Sequence, residues 1–233
     1  MNFYFDMALE HGDDDKLHTA LQASETLQAD VLGQEDLAHS PDAARVKADM
    51  MRRFGKAHER TGLLKSAATL LSNTAISLRK NGQMKESYDL TLESMEAEIA
   101  LAGLMADTSE LSALSNRLRD IVDLPDTMIT VQARGQARYV LGTCLAKQAD
   151  IDGKIVTLRK AFGYFESAAK QFADIGLEAK EMQSLRDLAL AKLTAAELLA
   201  LDNTADTDLI LAQRYNAEAM LLQQQLSDRL EIV

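Results

Sequence analysis

The stretch AFGYFESAAKQFADIG, Ala161 to Gly176, decides how the whole chain is read. Ala161, Phe165 and Ala168 follow one another at spacings of four and three, which puts them on one face of a helix, and Gly176 stands behind them as a stop. Small residues on that face let a second helix axis come close, and the phenylalanine fills the space beside them. Outward from here, segments of roughly 15 to 25 residues carry apolar side chains at every third or fourth position. Leu63, Ala67, Leu70, Leu71, Thr74 and Leu78 are an example. Turn and cap residues punctuate the segments: GDDD at 12–15, HSPD at 39–42, NG at 81–82, ADTS at 106–109, LPD at 124–126, ADIDG at 149–153 and LDNTADTD at 201–208. No segment alternates as a strand does. The pattern predicts about nine substantial helices and a short one near residues 2–11, joined by connections that suit only antiparallel neighbours. Asp42, Asp107 or Thr108, and Asp126 or Thr127 are the expected N-terminal caps.

Composition agrees with an all-α fold. The 233 residues are 47% hydrophobic, with 2 Pro, no Trp and only 5% aromatics, a mixture that favours helix almost everywhere. No linker rich in Gly, Ser or Pro divides the chain, so one continuous helical domain over 1–233 is expected. A lone cysteine, Cys144, excludes an internal disulfide and a thiolate zinc cluster, and points to a reducing, cytoplasmic setting. The N-terminal segment turns acidic without a basic region, and no apolar run approaches the roughly 18 residues of a membrane span. A net charge of −11 argues against nucleic acid and anionic lipid as partners. That charge is banded: −8 over 1–40, +6 over 41–80, −7 over 81–130, +4 over 131–170 and −6 over 171–233.

Extended to residues 160–193, KAFGYFESAAKQFADIGLEAKEMQSLRDLALAKL resembles the tetratricopeptide repeat (TPR) in its long-helix form. Each unit of that family is a pair of antiparallel helices, with small residues where the axes approach. Ala161, Phe165 and Ala168 match a second helix; RYVLGTCLAKQAD supplies the first, with Gly142 at its small position and Leu145 at the large one. About seven residues beyond the short form lie between them and read as extra helical turns around 151–160. Ala189 marks the next first helix, where Lys192 replaces the expected large apolar residue and weakens the last unit. Toward the N-terminus, Gly55, Gly62, Ala67 and Leu71 match one register, whereas Ala75, Leu78, Gly82, Ser87 and Ser94 match an overlapping one; the first keeps the units at 142 and 189 in phase. The resemblance implies a right-handed superhelical array, an α-solenoid of repeat units over 41–233 with atypical capping helices over 1–40. An ordinary helical bundle is the competing reading.

No catalytic constellation stands out. His11 and His18 flank Asp13, Asp14 and Asp15 without further ligands at metal spacing, so the aspartates read as a helix N-terminus; His39 and His58 add no motif. Cys144 sits on an apolar face with no histidine beside it. The chain is therefore expected to be non-enzymatic, with no cofactor and no metal. The resemblance implies a protein- or peptide-binding scaffold or adaptor that uses its concave groove. On the groove side it places Arg52, Arg53, Lys56 and Arg60, then Gln136, Tyr139, Thr143 and Lys147, then Gln183, Arg186 and Asp187. Guanidinium and ammonium groups there suit an acidic or carboxylate-bearing partner. The equal alternative is a basic band that offsets acidic neighbours within the molecule. A further alternative is a ligand- or peptide-responsive sensor domain. Phe3, Tyr4, Phe5, Met7 and Leu9 must either fold back over the first long helix or dock elsewhere; Leu221, Leu222, Leu226, Leu230, Ile232 and Val233 form a stripe that reads as core first and as a homodimer seam second.

Overall fold

A computed structural model describes residues 2–32, 40–202 and 206–231. His39, Ile232, Val233 and the Phe3 side chain lie outside the described residues. Ten helices and no strand are found among them, a short first helix and nine long ones as the periodicity predicts. The chain divides into two compact units, Met1–Met105 and Ala106–Val233. The first holds α1 (Asn2–His11), α2 (Asp14–Leu32), α3 (Pro41–Ala57), α4 (Thr61–Lys80) and α5 (Met84–Leu104). The second holds α6 (Thr108–Val122), α7 (Val131–Asp152), α8 (Ile155–Asp174), α9 (Glu178–Asp202) and α10 (Asp206–Glu231). No described helix is long and apolar enough to cross a membrane.

In the first unit each helix packs on the next, and α1 and α5 also reach α3. The apolar N-terminal segment folds back: Phe5 and Ala8 join Leu17, Ala20, Met50 and Phe54 in one buried cluster. Ala48, Ala67, Leu71, Ala75, Leu78, Leu90 and Ala97 form a second cluster, so α4 contributes to a core shared by three helices. This explains why two overlapping repeat registers fit the same residues: Gly55, Ala67, Leu71, Ala75, Leu78, Ser87 and Ser94 are all buried at once. Ser94 is satisfied inside by donating its hydroxyl to the Ala68 carbonyl at 2.9 Å.

In the second unit α6 packs on α7, α7 on α8, α8 on α9 and α9 on α10, while α7 also touches α9. The α7–α8 seam is built as the opening stretch suggests. A Cβ added at Gly142 would stand 2.8 Å from the Phe165 ring, and one at Gly135 would stand 2.9 Å from the Phe172 ring. Only hydrogen fits at these two crossings. Ala149 and Leu158, the next positions in the same seven-residue step, are both fully buried. The extra residues at 151–160 lengthen both helices, which are separated by Gly153 in the left-handed conformation (φ 67°).

Local chemistry sets the helix starts. Ser40, and not the expected Asp42, caps α3 ahead of Pro41, while Asp42 lies inside the first turn and pairs with Arg45; Asp107 caps α6 by accepting from Glu110 N at 3.0 Å. The start expected at Asp126 or Thr127 lies further on. Thr130 caps α7 by accepting from Ala133 N at 3.0 Å, and Asp126 instead pairs with Arg134 at 2.7 Å. Pro125 closes a turn with Met128 before the helix can begin. Lys192 also departs from expectation, because it reinforces the last pair. It is 9% exposed, its ammonium meets Glu218 of α10 at 2.7 Å and Glu166 of α8 at 3.8 Å, and it lies over the Phe162 ring. Its methylene stem fills the large position while its head group ties three helices together.

Candidate functional site

The expected groove residues of the first unit lie on and just beyond α3, and the structure provides several with partners. Arg52 pairs with Glu96 of α5 and at 2.9 Å with Asp49 of its own helix. Arg45 makes the same kind of tie to Glu93 of α5 at 3.0 Å. Burial pushes the Glu93 carboxyl above the usual range, against the pull of Arg45. Arg53 lies over the Phe5 ring at 4.9 Å, and Arg60 reaches Asp14 at 3.4 Å. Lys56 is exposed. Two acids, Glu93 and Glu96, therefore meet the basic band of α3 on the very side where a partner is expected.

The second unit repeats this geometry between α7 and α9. The Tyr139 hydroxyl donates to Asp187 at 2.6 Å and accepts from Gln183 at 2.6 Å. Burial and then the Asp187 charge push the Tyr139 phenol well above its ordinary value, so the group stays a neutral donor. Lys180 donates to Gln136 at 3.0 Å. Arg186 approaches Asp187 at 3.4 Å and is otherwise open, and Lys147 lies 3.8 Å from Asp150 of its own helix. The structure thus brings Gln136, Tyr139, Gln183 and Asp187 together, whereas Thr143 and Lys147 make no such tie to α9.

The ties fall at two spacings, four residues or about one helical turn apart. Arg45–Glu93 and Tyr139–Asp187 span 48 residues; Arg52–Glu96, Gln136–Lys180 and Tyr139–Gln183 span 44. The same helix-to-second-next-helix offset recurs inside both units, which is what a repeated helix pair produces.

Other candidates resolve into local roles. Asp13 accepts from the amides of Asp15 and Lys16 at 3.1 Å and so starts α2; the Lys16 amide bond is the leading cause that holds its carboxyl below the usual range. His58 bonds the Leu9 carbonyl at 2.7 Å and stacks near Phe54, fastening α1 to α3. An open cleft of about 720 Å³ is lined by Asp14, Leu17, His18, Glu59, Arg60 and Leu63, among others. Among the described residues no three His, Cys, Asp or Glu side chains gather as a metal-holding group. The Cys144 thiol donates to the Leu111 carbonyl at 3.2 Å, and burial pushes it up to about 12. Sequence reasoning missed Glu93, Glu96 and Lys180 as partners. The signal was present as acids and bases at a fixed offset, legible only once the pair length is known.

No family model matches the chain, and no curated protein matches it. Among solved structures it is similar to one described as "DHF58 filament", with 15% identity, 84% of this chain and 98% of that chain covered, and a TM-score of 0.35. At that level of likeness the functional reading rests on this chain's own residues.

Proposed function

We propose that the chain is a non-enzymatic helical-repeat module, TPR-like, that binds an acidic or carboxylate-bearing protein segment along the faces where alternate helices meet. The recurrence of ties at 44 and 48 residues in both units carries this reading. A repeated polar face of Tyr, Gln, Arg and Lys is a surface on which an extended peptide can be held by side chains already fixed in place. In the first unit Arg52 is engaged by Glu96, so a ligand there has to displace an internal carboxylate. In the second unit Arg186 is 66% exposed and Lys147 45% exposed, and both are open to an incoming carboxylate.

The experiment is affinity capture from host lysate with the wild type and with Arg186→Glu/Lys147→Glu, at low and moderate salt. Circular dichroism confirms that the variant is folded. An acidic protein retained by the wild type and lost by the folded variant supports the reading. Retention by both variant and wild type refutes it. Reversal of Arg52 is the poorer probe, because it also breaks the tie to Glu96.

A further inference from the structure

Helix α10 has two dissimilar sides. Ala212, Tyr215 and Ala219 are buried against α9, and Leu222 and Leu226 are half-buried with them. The stripe expected as core is therefore split, since Leu221 is 61% exposed and Leu230 66% exposed. On the open side Ala217, Met220, Leu221 and Gln224 are uncharged, and Glu218, a third exposed at their edge, is held by Lys192 and Arg214, in a chain where 26% of residues are charged. Met and Leu without charge are the composition of an interface centre. Two charged residues bracket it: Arg214 and Asp228 each stand seven residues from Leu221, which keeps all three on one face and sets the charges about 21 Å apart.

We propose that α10 pairs with α10 of a second copy of this chain, antiparallel, about a two-fold axis at Leu221. The charge pattern selects this occupant and this direction. An antiparallel pair sets residues equidistant from the axis against one another, so Arg214 meets the partner's Asp228 twice over, as an isologous contact requires. A parallel pair would set Arg214 against Arg214 and Asp228 against Asp228. Arg214 has charge to offer despite its 2.8 Å bond to Glu218, because that carboxylate is also bound by the buried Lys192 at 2.7 Å. Two copies with a net charge of −11 repel in general, and a face whose centre is uncharged, whose Glu218 is already paired and whose ends are complementary is where they approach at least cost. A single helix pair stays below the roughly 1,200 Å² of a standard interface, so the dimer is weak and forms with rising concentration.

Sedimentation velocity of the full chain, from low micromolar to near-millimolar concentration, tests this. The wild type is expected to shift from monomer to dimer, and Leu221→Asp to remain monomeric. Asp228→Arg and Arg214→Asp alone each set like charges together and weaken dimerisation about tenfold. Mixed in equal amounts, those two variants restore it, because each supplies the charge that the other lacks. All of the altered side chains are exposed, and circular dichroism confirms their folding. A wild type that is monomeric throughout, a Leu221→Asp variant that still dimerises, or a mixture no better than its components overturns the proposal.

Discussion

Replacing Gly142 with alanine tests the α7–α8 seam against the usual rule for glycine in helices. Alanine in a helix interior is favoured over glycine by about 1 kcal/mol. Gly163, on the open side of α8, has nothing within 4 Å of where its Cβ would sit, so Gly163→Ala is expected to gain that amount. At Gly142 the new methyl would lie 2.8, 2.9 and 3.2 Å from three atoms of the Phe165 ring, which is only 2% exposed and cannot swing away. Overpacking of this kind costs about 1 to 3 kcal/mol, which exceeds the propensity gain and leaves a net loss of about 1 kcal/mol. The two variants should therefore differ by about 2 kcal/mol in opposite directions. Urea unfolding followed by circular dichroism reads the difference, and hydrogen exchange of the α7 and α8 amides assigns the transition to this unit. Phe165→Leu in the Gly142→Ala background should recover part of the loss, as expected of residues in contact. If Gly142→Ala is as stabilising as Gly163→Ala, close approach is not what holds the seam.

Glu218→Gln should destabilise by about 1 to 2 kcal/mol, since it weakens the partner of a buried ammonium while Glu218 itself is a third exposed; Lys192→Met should be near neutral or stabilising, and thermal unfolding separates the two. The buried Cys144 thiol should resist a thiol reagent at pH 8 and react only at the unfolding rate. A pKa raised to about 12 means that its contribution to stability is full below the unfolded thiol's pKa and lost as pH climbs toward 12, so stability measured across that window should fall less steeply in Cys144→Ala.

The periodicity of small and large residues made the helices and the α7–α8 seam legible, because close packing restricts side-chain size directly at Gly142 and Phe165. The start of α7 was less legible: Pro125 followed by Asp126 imitates a helix entry, and the preference for Thr130 depends on how the 124–130 turn closes. The destination of the basic band was open for a different reason. Arg52 finds Glu96 at a distance of 44 residues, and no local pattern distinguishes a cation destined for an internal acid from one awaiting a partner. Lys192 read as a defect because size classes do not register that a lysine stem can fill an apolar position when Glu218 and Glu166 receive its head group.

Gly153 controls more than the end of one helix. The seam pairs Gly142 with Phe165 and Gly135 with Phe172, and the turn lies midway between the members of each pair. Sliding α8 by seven residues, about 10.5 Å along the axis, would set Phe172 against Gly142 but Phe165 against Ala149, whose methyl group stands where only hydrogen fits under a ring. The side chains thus accept the first alignment and reject the second. A chain break placed three or four residues later would suit only the alignment they reject. The corner, where one residue turns left-handed, and the heptad of rings and glycines therefore select the same register, as a pawl and a ratchet do.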